Sequence, residues 1–196
     1  MDNNPAQLRR HYRHLRQSLD AETQARHADR LKARLDRLLR FARPQHIAGY
    51  LSCKGELSLD PWLEHPGRHH PWLPMLHELW APRLRFAPLA STRRWKLNRY
   101  GILEPDVHWG ETRDARALDI VLMPLLAFDR RGNRLGMGGG FYDRSLAFRL
   151  ARRHWQRPRL IGVAHALQEH PALPRQPWDV PLDAIVTERE LILPQG

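Results

Sequence analysis

Four short apolar runs constrain this chain more than any other feature: Ile47–Leu51, Ile120–Met123, Leu160–Ala164 and Ala184–Val186, each bounded by Pro, Gly or charge. Runs of this length, without polar alternation, read as strands buried on both faces. Helical patterns lie between some of them, including Tyr142–Leu150, and strands that alternate with helices build a parallel sheet covered by helices. The expected fold is therefore α/β and Rossmann-like, with a mixed, mainly parallel sheet flanked by helices. With 196 residues, no internal repeat and no long linker, the chain is expected to form a single domain spanning 1–196.

Two helices open the chain. Leu8, Tyr12, Leu15 and Leu19 fall at helical spacing, and Ala25, Ala28, Leu31, Leu35 and Leu38 resume it. The break near Asp20 suits an N-cap, Glu22 then stands in a first turn where the helix dipole favours an acid, and Pro44 closes the second helix. Between Pro61 and Trp109 the pattern is harder to read, with strand-like pieces at Trp72–Leu73 and Leu84–Phe86.

No stretch approaches the roughly 20 apolar residues that span a bilayer, and the first thirty residues carry no secretory apolar core. A cytoplasmic protein without a membrane partner is expected. The single cysteine, Cys53, cannot form an internal disulfide and reads as a small hydrophobe. Net charge is +11, with 32 basic residues of which only Lys32, Lys54 and Lys96 are lysine. A basic surface can hold nucleic acid, but it can equally hold a phosphorylated metabolite, and these arginines are scattered with no reader motif among them. No specific nucleic-acid partner is expected, although a basic nucleic-acid-binding module is the alternative from a different class. The tryptophans Trp62, Trp72, Trp80, Trp95, Trp109, Trp155 and Trp178 lack the basic interleaving of a base-stacking module. None of the twelve histidines pairs at a zinc-binding spacing, and none is given a role.

The most informative stretch is Phe128–Arg144, FDRRGNRLGMGGGFYDR, in which a strand ends, glycines crowd into Gly136–Gly140 and a helical pattern begins. Glycine lets backbone N–H groups turn toward an anion without a side chain in the way. A helix N-terminus adds partial positive charge, and Arg134 adds a formal one. The stretch is not a dinucleotide fingerprint, which needs glycine where Phe141 stands, nor a Walker A loop, which needs Lys followed by Ser or Thr.

The basic residue, Leu, glycine-rich loop, two aromatics and Asp of this stretch closely resemble the signature of 5-formyltetrahydrofolate cyclo-ligases. The resemblance runs through Leu8-Arg9, GYLSCKGELSL at Gly49–Leu59, GILEP at Gly101–Pro105, IGVAHA at Ile161–Ala166 and WDVPLDAIVTE near the end. It implies a reaction in which ATP and 5-formyltetrahydrofolate give ADP, phosphate and 5,10-methenyltetrahydrofolate. By position it assigns Arg9, Arg134, Leu135, Gly136, Met137, Gly138, Gly139, Gly140, Phe141 and Tyr142 to ATP. It assigns Leu51, Glu56, Met137, Gly138, Gly139, Gly140 and Phe141 to the folate, and Asp143 and Asp179 to Mg²⁺, with Arg134 and Asp143 as the catalytic pair. Many members carry a lysine in the loop and another a turn before Arg9, where this chain has Gly139 and Pro5; Arg134, then Arg9 and Arg10, are the expected substitutes.

Each assignment competes with a plainer role. Asp143 suits a helix N-terminus, Asp179 a turn cap, Leu51 and the aromatics Phe141 and Tyr142 a core. A monomer acting on small molecules is expected. The rival enzyme reading is a sugar-phosphate isomerase or CoA transferase of similar topology, which would consume no nucleotide.

Overall fold

The computed structural model describes residues 4–76, 83–151 and 157–194; Trp80 and Trp155 lie outside them. Helix α1, Pro5–Gln17, carries its proline in the first turn and is capped by Asn4, whose side chain accepts from the Ala6 N–H. Helix α2, Ala21–Leu39, starts where the sequence places it, with Asp20 accepting the Thr23 N–H at 2.7 Å. It ends five residues ahead of Pro44.

The strands follow as β1 His46–Ala48, β2 His70–Leu76, β3 Leu84–Pro88, β4 Trp95–Leu97, β5 Leu103–Pro105, β6 Ile120–Pro124, β7 Ala127–Phe128, β8 Arg134–Leu135, β9 Arg159–Val163, β10 Ala184–Val186 and β11 Leu191–Ile192. Short helices α3 Asp60–Glu64, α4 Phe141–Leu146 and α5 Phe148–Ala151 lie among them. Seven strands form one sheet in the order β11-β10-β9-β6-β1-β2-β3. Its five inner strands are parallel, and β3 and β11 close the two edges antiparallel. β4 pairs with β5, and β7 with β8, in separate hairpins.

Strands β6, β9 and β10 read as nearly unbroken apolar runs because both faces are covered. Val121, Met123, Leu160 and Ile185 join one buried cluster with Phe86, Phe128 and Leu146. Their neighbours Ile120, Leu122, Ile161, Val163, Ala184 and Val186 join the other, beneath Leu31, Leu35 and Leu39 of α2. A third cluster, Leu8, Tyr12, Leu126, Ala127, Leu135 and Leu173, fastens α1 to the β7–β8 hairpin.

Three details depart from the sequence pattern. β1 stops at Ala48, so Tyr50 and Leu51 belong to the following segment. The helix expected over Tyr142–Leu150 is two short pieces, α4 and α5, interrupted at Ala147. The strand before the glycine loop is β8 of the small hairpin rather than a strand of the main sheet.

Candidate functional site

Strand order locates the site. From β1 the chain passes to β2 on one side, whereas from β6 it passes to β9 on the other, so β1 and β6 form the switch point beyond which open α/β sheets hold ligands. Two segments leave the carboxyl ends of this pair: Gly49–Leu59 after β1, and the β7–β8 hairpin with its glycine loop after β6.

Helix α1 clamps both. Its apolar stripe of Leu8, Tyr12 and Leu15 packs on the hairpin, and Arg9 and Arg16, two turns apart, face the site from the adjoining stripe. Arg9 donates from Nε to the Gly136 carbonyl at 3.0 Å. Arg16 is fully buried, an unusual place for a guanidinium, and donates to the Lys54 carbonyl at 3.0 Å and the Leu125 carbonyl at 3.4 Å. It also lies 3.5 Å from Glu56 Oε1. Periodicity places Arg16 on α1, but nothing local in the sequence announces a buried cation there.

The turn before Glu56 brings the carboxylate back to Arg16. Lys54 and Gly55 both take left-handed backbone conformations, and a Cβ on Gly55 would stand 2.9 Å from the Arg16 carbonyl oxygen, so only glycine permits this approach. Glu56 Oε2 accepts the Cys53 N–H at 3.1 Å. Burial raises the Glu56 pKa despite the Arg16 charge. Cys53 is thus a site neighbour rather than a plain core residue; burial, with the Glu56 charge adding, pushes its thiol up to about 11 and leaves it unreactive. Leu51 is partly buried against the cluster under α2, the core role open to it.

In the loop, Leu135 is buried in the α1–hairpin cluster, so only its backbone can meet a ligand. Met137 is 42% exposed. Gly138, at φ 99°, adopts a conformation closed to side chains and sits beside the Arg9 guanidinium. Phe141 packs edge-on against Tyr100, with ring centroids 5.8 Å apart. Burial raises the Tyr142 pKa, the Glu56 charge adds to it and Arg134 opposes it, so the phenol, the carboxylate and the guanidinium share one space.

Arg134 is held on both sides, donating to the Val180 carbonyl and to Asp143 Oδ1. Asp143 Oδ1 also accepts the Val180 N–H at 3.4 Å. Asp179, one residue before Val180, accepts the Gln176 N–H through Oδ2 at 2.8 Å and closes a turn, the capping role that competes with metal binding. The two carboxylates therefore flank one short segment. Among the described residues these contacts engage one oxygen of each, and Mg²⁺ takes one or two carboxylates with waters and phosphate oxygens, so the donor set fits.

Arg144, on the turn after the loop, donates to the Gly139 carbonyl, and its guanidinium lies against Gly140. The charge that the sequence resemblance seeks inside the loop thus arrives from α4, a contribution that loop-centred reading of the sequence misses.

A model of the 5-formyltetrahydrofolate cyclo-ligase family matches residues 2–188. The chain is 34% identical over 183 residues to the 5-formyltetrahydrofolate cyclo-ligase of Haemophilus influenzae, covering 90% of this chain and 93% of that protein. It is 39% identical over 145 residues to that of Escherichia coli K12, covering 72% and 76%. Among solved structures, 5,10-methenyltetrahydrofolate synthetase from Aquifex aeolicus superposes with a TM-score of 0.80 at 30% identity, over 98% of this chain and 93% of the other. A synthetase from Mycoplasma pneumoniae, at 23% identity and a TM-score of 0.73, shares the fold over 96% and 100% of the two chains. On this similarity and the loop it spans, the chain belongs to the 5-formyltetrahydrofolate cyclo-ligase family.

Proposed function

We propose that this enzyme uses ATP to cyclise 5-formyltetrahydrofolate to 5,10-methenyltetrahydrofolate, releasing ADP and phosphate. The observation that carries the reading is the meeting of a cation-lined glycine loop with the buried Glu56 at the sheet's switch point. Loop amides from Gly136–Gly140, with Arg9, Arg134 and Arg144, suit the ATP phosphates. Glu56 suits the donor edge of an aminopyrimidine, and Tyr142 and Phe141 suit the flat faces of a pterin. Asp143 and Asp179 would hold Mg²⁺, which supplies charge neutralisation on the phosphates. We place the enzyme in the cytoplasm as a monomer, with residues 1–196 forming one domain; among the described residues no helix is long and apolar enough to cross a membrane.

In the proposed sequence the formyl oxygen attacks the γ-phosphorus and ADP leaves. The resulting phosphate ester converts a poor leaving group into a good one. The second folate nitrogen then adds to the formyl carbon and loses its proton, and the C–O bond breaks to release phosphate. The enzyme contributes positioning and charge stabilisation; no covalent enzyme intermediate is needed. Formyl oxygen carrying a heavy isotope should emerge in inorganic phosphate, one label per methenyl product. Label recovered in water instead would exclude this chemistry. The isomerase or transferase reading predicts no ATP consumption in the same assay.

The loop geometry gives a second expected result. Gly138→Ala forces a side chain into a left-handed conformation beside Arg9, at a cost of about 1–2 kcal/mol, and should raise the ATP KM severalfold. Gly136→Ala, where an added Cβ meets nothing within 4 Å, should stay near wild type. Equal effects at the two positions, measured by steady-state kinetics, would remove the conformational argument.

A further inference from the structure

On the α2 side of the sheet, bordering the Gly55–Glu56 turn, three buried or nearly buried groups from distant parts of the chain converge. One ring nitrogen each from His27 and His165, and a carboxylate oxygen of Glu188, lie within 4.8 Å of one another. His27 comes from the second turn of α2, His165 follows β9, and Glu188 follows β10, so the three link the helix to the carboxyl ends of two neighbouring strands.

His165 and Glu188 are each held by a further contact. The Gln168 side chain accepts the His165 backbone N–H at 2.8 Å and fixes the turn that carries the ring. Glu188 Oε2 accepts the Ala166 N–H at 2.8 Å, while Oε1 faces His27 Nε2 at 3.9 Å and Arg189 Nε at 3.5 Å. The two Nδ1 atoms of His27 and His165 stand 2.9 Å apart, one donating to the other.

A hydrogen-bonded histidine pair tying a helix to a sheet, with the Gly55 backbone bonding the His165 ring, is the plain explanation, and it leaves the carboxylate over. Glu188, only 3% exposed, stands beside two rings that burial keeps neutral, His165 to the extent of lowering its pKa to about 4. Neutral imidazoles and a carboxylate are the form of these groups that binds metal.

We propose that His27, His165 and Glu188 form a site for a divalent transition metal, with Zn²⁺ the best match. Two imidazoles and one carboxylate are a zinc donor set, whereas Mg²⁺ selects oxygen ligands. With Zn–N bonds of about 2.0–2.1 Å at a tetrahedral angle, the two nitrogens would stand about 3.3 Å apart, so the rings need to part by only a few tenths of an ångström. Glu188 offsets part of the dication's charge against Arg26, Arg30 and Arg189, which surround His27. The His27 side chain, 14% exposed, leaves an approach for the ion and a fourth ligand from water. The ion would act as a tie between α2 and the sheet, apart from the reacting atoms, and the proposal stands independently of the reaction assigned above.

The test uses the full, untagged, metal-stripped protein titrated with Zn²⁺, and with Co²⁺ as a coloured probe, in buffer containing Mg²⁺. One equivalent should bind with the visible spectrum of four-coordinate Co²⁺, and Zn²⁺ should raise Tm. His27→Gln, at a partly exposed position, should fold and keep its cyclo-ligase activity while binding about 10–100-fold more weakly or worse and losing both signals. Glu188→Gln should do the same to the spectrum, and His70→Gln, elsewhere on the surface, should change nothing. Equal binding by wild type and His27→Gln, or no bound equivalent in the wild type, would overturn the site.

Discussion

An Arg134→Gln variant is expected to fold normally and to turn over about 10²–10³-fold more slowly than wild type. The Arg134 side chain is only 7% exposed and is held by the Val180 carbonyl and the Asp143 carboxylate, so its charge is aimed before any substrate arrives. Preorganised charge of this kind, placed where charge develops in phosphoryl transfer, is worth about 2.7–4 kcal/mol when a single donor is removed. Glutamine is neutral and too short to span both partners. Arg134→Lys restores the charge but not the two-sided fork, and should recover only part of the rate. Measured kcat together with Tm separates the outcomes: a normal melt with a normal kcat would move the phosphate-stabilising charge to Arg9 or Arg144.

The second large effect is expected at Glu56. Its two carboxylate oxygens already meet three donors, the Cys53 N–H and S–H and the Arg16 guanidinium, and the proposed folate edge brings more. Glutamine offers one acceptor oxygen, and either orientation of its amide sets an N–H against a donor. Losing a charge-assisted hydrogen bond costs about 1.5–3 kcal/mol, so Glu56→Gln should raise the folate KM about tenfold or more and leave the ATP KM nearly unchanged. Parallel rises in both would indicate a damaged fold instead. The same variant tests the electrostatics of the free enzyme. Burial raises the Glu56 pKa, and a carboxyl raised in the folded state contributes stability below its unfolded pKa and loses it as pH rises through the folded one. Wild-type stability relative to Glu56→Gln should therefore decline as pH climbs above the usual carboxylate value of 4.5. Melts across that range check the sign.

Inner strands β6 and β10 are legible because a strand covered on both faces has to be apolar throughout, as Ile120–Met123 and Ala184–Val186 are; β2, broken by Pro71 and Pro74, is not. Asp20 marked a helix start because its side chain has one local job. The edge strand β11 and the β4–β5 hairpin carry no such run: Trp95 and Leu97 are exposed, so burial imposes no pattern on them. In the site, the glycine loop is a contiguous motif and could be read directly. Arg16 and the His27–His165–Glu188 cluster could not be, since each is defined by partners that lie far along the chain and meet only through sheet order. Arg144 was overlooked for a subtler reason: its helix starts at Phe141, and one turn returns a side chain to the loop it has just left.

The clamp made by α1 has a consequence for how the polypeptide is built. Arg9 meets Gly136 across 127 residues, Arg16 meets Leu125 across 109, and Tyr12 donates to the Glu169 carbonyl across 157. Helix α1 leaves a ribosome well before these partners, and its stripe of Leu8, Tyr12 and Leu15 stays uncovered while the residues between them are still being made. Contacts of such long range are slow to form, and apolar surface that waits for them is open to chaperones and to aggregation. Catalytic competence and protection of this stripe arrive in the same late step, so nascent chains stalled before the β7–β8 hairpin should expose the helix and bind no nucleotide.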